Sequence, residues 1–224
     1  MRHKTLRIKG NTLDISKFVK ECLSTEVRTH PYSTNVMLEH YLDFNKIVPE
    51  PKDIGEDWYD WRLANWGTKW QPCETHYFEI NKETKDSKDL DLAIAFSTAW
   101  CPPDKIYEKL IEQYKDTSLE FRVEYYEGGV GFAGHMEFSK GKITEEEYVE
   151  YTSNKESAVK YYAYLIEHDH ESSEWLSDSI YEEMECNDIE QSIIEETVSQ
   201  FEEYCRRNRI DEAAALYVEK AVSI

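Results

Sequence analysis

Leu119-Glu-Phe-Arg-Val-Glu-Tyr-Tyr126, Glu127-Gly-Gly-Val-Gly131 and Phe132-Ala-Gly-His-Met-Glu-Phe138 follow one another without a break, and their reading decides the fold. The segment contains Gly129-Val-Gly-Phe-Ala-Gly134, a literal GxGxxG. A dinucleotide-binding loop of that form runs from a strand into a helix, whose N-terminus receives the pyrophosphate. Here the residues on both sides alternate with period two, the spacing of half-buried strands. The glycines therefore read as a hairpin turn at positive φ, and the protein as antiparallel α+β.

Working outward, Thr5–Lys9 alternates like a first strand. Ile15, Phe18, Val19, Cys22 and Leu23 form one apolar stripe of a helix, with Asp14 as its expected cap. Ser24–Asn35 is polar, holds Pro31 and reads as a loop. Leu38–Val48 reads as a second strand, ended by Pro49 and Pro51. Residues 56–66 form a short helix with Trp58, Trp61 and Asn65 near one face and Gly67 at its left-handed cap. His76–Ile80 and Leu90–Phe96 read as strands joined by the polar Asn81–Asp89. Pro102 and Pro103 open a helix whose buried face is Ile106, Leu110, Ile111 and Tyr114.

That order predicts a ferredoxin-like antiparallel sheet with two principal helices on one face. From Thr144 onward the spacing predicts helices only: Ser157–Glu167, Ser173–Glu185, Asp188–Arg207 and Asp211–Val222. Ile189, Ile193, Val198, Phe201 and Cys205 mark the clearest stripe. The expected division is an α+β domain over 1–141 and an acidic, all-α extension over 142–224.

The net charge of −20 is uneven. Residues 1–141 hold 24 acids and 19 bases, whereas 142–224 hold 22 acids and 7 bases. Direct nucleic-acid binding rests on a basic footprint, which this composition lacks. An acidic helical surface is either a solubilising face or one presented to a basic partner. No run reaches the roughly 18 apolar residues of a membrane span, and the basic N-terminus lacks the apolar run of a signal peptide. Cys22, Cys73, Cys101, Cys186 and Cys205 include no CxxC pair and read as reduced cytoplasmic thiols.

Asn65-Trp-Gly-Thr-Lys-Trp70 is the densest candidate site. Read conservatively, Trp66 and Trp70 fill the gap between the short helix and the sheet, while Asn65 and Thr68 tie the turn. Read functionally, Lys69, Trp70 and Trp100 line a cleft with the Gly128–Gly134 hairpin, where aromatic faces beside a cation hold a planar or anionic ligand. His135 is the fourth candidate. No catalytic set, cofactor site or metal site is expected. Cys101 has no base at a telling spacing, and in Glu167-His-Asp-His-Glu171 the two histidines would point apart on a helix.

Four pieces carry a family resemblance: Leu42-Asp-Phe-Asn-Lys-Ile-Val-Pro49, the Asn65–Trp70 box, Thr98-Ala-Trp-Cys-Pro-Pro103 and Tyr125–Gly134. In this order they resemble the YubB-type ferredoxin-like domain family of phages and plasmids, across roughly residues 5–141. Val48 departs from the isoleucine common there. The resemblance implies a ferredoxin-like fold and a mobile-element origin. It implies no activity, and it leaves the acidic extension uncovered.

The resulting expectation is a non-enzymatic accessory protein of a phage or plasmid, cytoplasmic in its bacterial host. It would bind a host protein with a basic surface, such as a nucleic-acid-handling or defence enzyme of the CRISPR or restriction type. Glu182, Glu183, Glu195 and Glu196 would contribute the acidic contact surface. The alternative is a small-molecule or nucleotide-binding domain, enzymatic or not, using Lys69, Trp70, Trp100 and His135. A self-associating scaffold built on the C-terminal helices is a third.

Overall fold

The computed structural model describes residues 3–29, 36–72, 75–82, 89–168, 170–187 and 189–222. The chain begins with β1 (His3–Asn11), α1 (Thr12–Cys22) and the strands β2 (Leu23–Thr29) and β3 (Val36–Leu42). A single-turn α2 (Phe44–Ile47) and α3 (Trp58–Trp66) precede the strands β4 (Thr75–Lys82) and β5 (Asp89–Ser97). Then come α4 (Asp104–Gln113), β6 (Glu120–Glu127), β7 (Phe132–Ser139) and β8 (Lys142–Glu150). Four helices end the chain: α5 (Lys155–Glu167), α6 (Ser173–Cys186), α7 (Gln191–Arg206) and α8 (Ile210–Ala221).

The main sheet has the strand order β4-β5-β1-β6-β7-β8. At its centre β1 pairs antiparallel with both β5 and β6, so that Leu6 stands between Ile94 and Val123. Side chains alternate across a pleated strand. Leu6 and Ile8, Leu92, Ile94 and Phe96, and Phe121 and Val123 are accordingly all buried. Two helices cover them, α1 with Ile15, Phe18 and Cys22, and α4 with Ile106, Tyr107 and Leu110. The Phe18 ring meets Tyr114 at 5.6 Å and Phe121 at 5.9 Å between centroids, locking both helices to one sheet face. This is the α+β class expected. The turn after β6 leads into β7 and not a helix, with Gly131 at φ +84°, so the GxGxxG match is a hairpin.

Four local expectations change. Asn11, not Asp14, caps α1: its side chain accepts from Asp14 N at 3.0 Å and donates to Asp14 Oδ2 at 2.9 Å. The first part of the expected loop Ser24–Asn35 is the strand β2, paired antiparallel with β3 from Leu23↔Leu42 to Thr29↔Val36. Its polar sequence concealed it, because cross-strand pairing and not burial makes a two-stranded ribbon; residues 30–35 lie outside the described residues. The strand expected to reach Val48 stops at Leu42, because Asp43 accepts from Asn45 N at 3.0 Å and starts α2. Finally, Lys142–Glu150 is a strand and not the start of a helical region. It is the outermost strand, almost wholly exposed, and its glutamates suit an edge that must resist pairing with other chains. The expected loop Asn81–Asp89 lies mostly outside the described residues, though β4 and β5 pair antiparallel on either side of it.

The chain divides into two compact units, Met1–Glu127 with His135–Glu147, and Gly128–Gly134 with Tyr148–Ile224. In the second, α5 packs on α8 and α6 packs on α7 and α8. Their core holds Leu176, Ile180, Met184, Ile194, Phe201, Ala213 and Tyr217. On α7 the buried face is Ile194, Thr197 and Phe201. Of the expected stripe, Phe201 is buried and Val198 and Cys205 pack partly against this core, whereas Ile193 and Ile189, which precedes the helix, are exposed. Among the described residues no helix is long and apolar enough to cross a membrane.

Candidate functional site

The Asn65–Trp70 box begins inside α3 and leaves it through Gly67. That residue takes φ +79° and its N–H donates to Leu63 O at 3.2 Å. A Cβ there would stand 2.8 Å from Asp104 N, so only glycine lets the box lie against the start of α4. Trp66 is fully buried, with its indole N–H donating to Val48 O at 2.9 Å and its ring set against Phe44 and Trp61. The Arg62 guanidinium lies 5.0 Å from the ring centres of both Trp58 and Trp66. It also forms a two-pronged pair with Glu50, at 2.6 and 2.8 Å. That hydrogen bonding holds the Glu50 carboxyl below the usual carboxylate range.

Two bonds stitch this box to Thr98–Pro103, and a third braces that segment internally. Thr68 Oγ1, fully buried, donates to Ala99 O at 2.9 Å. Cys101 Sγ donates to Gly67 O at 3.0 Å, and Thr98 Oγ1 donates to Cys101 O at 2.8 Å. The result brings Lys69, Trp70 and Trp100 together. Lys69 Nζ is 4.1 Å from the Trp70 ring centre and 5.7 Å from that of Trp100. Both tryptophans remain well exposed, Trp70 at 46% and Trp100 at 60%. Part of the conservative reading holds, since Trp66 fills the core; Trp70 does not. An ammonium flanked by two open indoles can stack a ring, attract a cation's counter-charge, or do both.

His135 lies within the main sheet. It is 97% buried on β7, with Nε2 3.3 Å from Glu145 Oε1 on β8. Between β7 and β5, from whose end Trp100 extends, lie β1 and β6. The Cys101 thiol donates to Gly67 O. Cys22 is buried beside Tyr114, and burial pushes its thiol up to about 12, making it inert. The Gly128–Gly134 hairpin belongs with the second unit. The helical argument about His168 and His170 does not apply, because α5 ends at Glu167; their rings lie 6.3 Å apart, both beside Tyr164.

On the helical unit, Glu182, Glu195 and Glu196 are exposed and Glu183 is half-buried, accepting from Asn187 Nδ2 at 3.2 Å. Glu195 accepts from Gln191 at 3.1 Å. The structure sets three further acids, Glu174, Asp178 and Glu185, beside the expected Glu182. Glu174, Asp178, Glu182 and Glu185 are exposed along one face of α6, a helix containing no lysine or arginine. The signal was present as the fourfold spacing. This face adjoins a groove of about 670 Å³ between α6 and α7, whose lining includes Tyr181, Val198, Cys205 and Glu202. Arg206, its basic lining residue, is paired with Glu203 at 2.6 Å.

The fold and these surfaces define a ferredoxin-like α+β protein with C-terminal helices. Residues 65–164 match the family model of the ferredoxin-like domain in Api92-like protein, a span that opens at Asn65 and takes in Lys69, Trp70 and Trp100. Among solved structures the chain is similar to a protein api92 from Yersinia pseudotuberculosis, at 18% identity and a TM-score of 0.36. That alignment covers 53% of this chain and 43% of the api92 chain, so this protein spans less than half the length of its relative. No curated protein matches.

Proposed function

We propose that the protein is a non-enzymatic accessory factor of a phage or plasmid. It binds a basic host protein, one that handles nucleic acid or acts in defence as CRISPR and restriction systems do, in the bacterial cytoplasm. The observation that carries this reading is the α6 face of Glu174, Asp178, Glu182 and Glu185, on a helix with no base of its own. Acids three and four residues apart repel one another by about 0.2–0.5 kcal/mol per pair in isolated helices. A cationic partner turns that repulsion into attraction and speeds encounter. Capture of a bacterial protein on the wild-type chain, lost with Glu174→Gln/Asp178→Asn/Glu182→Gln/Glu185→Gln, tests it; capture equal on both chains refutes it.

A second reading is a small-ligand site at Lys69, Trp70 and Trp100. The exposure of both indoles beside the ammonium favours it.

A further inference from the structure

We propose that Trp100 is held in a strained turn in order to present its indole, and that Trp100 and Lys69 bind a small planar anion of the nucleotide kind. The aromatic ring stacks on Trp100 and the phosphate pairs with the Lys69 ammonium. This rests on the second reading above and assigns it residues, tasks and a ligand class.

Trp100 has φ +72°, in the region that favours glycine. Cys101 N donates to Ala99 O at 3.0 Å, closing a three-residue γ-turn around it. The positive-φ form of that turn is rare and strained. Glycine would hold the same backbone without strain, yet a tryptophan stands there with 60% of its surface exposed. Burial therefore does not account for the residue.

The surroundings fix the turn from three sides. Thr68 holds Ala99 O, Thr98 holds Cys101 O, and the Cys101 thiol holds Gly67 O. A conformation maintained in this way against its own preference is characteristic of ligand-contact positions. Beside it, the Trp70 ring seats Lys69 Nζ at 4.1 Å, which leaves the ammonium's other donors directed away from that ring. A stacking face and a point charge in one corner match a base and its phosphate. The chain's net charge of −20 opposes a long polyanion, so the ligand is a mononucleotide and not a strand.

The test is calorimetric titration of the full chain with AMP, adenosine, inorganic phosphate and a short oligo(dA), repeated on Trp100→Gly and Lys69→Met, with melting temperatures recorded for each. AMP is expected to bind saturably, with adenosine and phosphate each at least about tenfold weaker. Both variants should lose AMP by a similar factor, while Trp100→Gly melts at or above the wild-type temperature, because glycine relieves the turn. A clearly lower melting temperature for Trp100→Gly overturns the presentation role. AMP bound equally by all three chains overturns the assignment of residues, and oligo(dA) preferred over AMP overturns the small-ligand class. Phosphate bound in a Lys69-dependent way without AMP binding overturns the inference but leaves the second reading standing; no binding by any probe overturns both.

Discussion

Thr68 Oγ1 donates to Ala99 O at 2.9 Å across 31 residues of sequence, joining the turn after α3 to the turn after β5 at a point with no solvent access. Lys69 and Trp70 follow the first of these residues and Trp100 follows the second. The bond therefore determines whether the ammonium and the two indoles share a corner. Thr68→Val keeps the shape but removes one of two donors to Ala99 O, the other being Cys101 N, a loss of about 0.5–1.5 kcal/mol. Urea unfolding should report that loss, and tryptophan fluorescence should change as the two indoles lose their fixed spacing.

Gly67→Ala is expected to be at least as damaging. It forces a side chain into φ +79° and drives Cβ to 2.8 Å from Asp104 N, where backbone cannot yield as a flexible side chain could. Strain of this kind amounts to roughly 1–3 kcal/mol. A fall in denaturation midpoint checks it; an unchanged midpoint would mean that the box does not rest on α4.

Glu50 gives a pH signature. Its folded-state pKa is depressed by Arg62, so the folded chain binds fewer protons than the unfolded chain in the acid range, and stability rises with pH there. The contribution is fully present above the unfolded value of about 4.3 and is lost as pH falls through the lower folded value. Wild type should exceed Glu50→Gln by about 1 kcal/mol at neutral pH, the size of a favourable ion pair. The gap should close in acid. A gap that persists at low pH would place the stabilisation in packing and not in the charge.

For the helical unit, stability and binding should move in opposite directions. Glu182 follows Asp178 by four residues and precedes Glu185 by three on a helix without bases, so Glu182→Gln should stabilise by about 0.2–0.5 kcal/mol at low salt. High salt should erase the gain. Thermal unfolding at two ionic strengths reads both effects, and a destabilised variant would show that the acid has a structural partner.

Much of this arrangement was legible in the residues themselves. Alternation in β1, β6 and β7, the apolar face of α4 and the glycine that caps α3 all report local burial or local backbone need. The features that escaped depend on distant pairing. β2 is polar because its identity comes from β3, and β8 is charged because it lies at an edge. The order that places β1 and β6 between β5 and β7, the strand of His135, is likewise not given by sequence order. Lys69, Trp70 and Trp100 were nameable as a group, but the bond from Thr68 to Ala99 and the positive φ at Trp100 appear only in the fold.

The most direct test of the central proposal is the affinity of the captured host protein for the wild-type chain and for Glu174→Gln/Asp178→Asn/Glu182→Gln/Glu185→Gln, at about 50 and about 500 mM salt, which shorten electrostatic reach from about 14 to about 4 Å. The account predicts that wild-type affinity falls at least about tenfold across that range, and that the variant binds more weakly with a flatter salt response. Equal affinity for both chains, unchanged by salt, would contradict it.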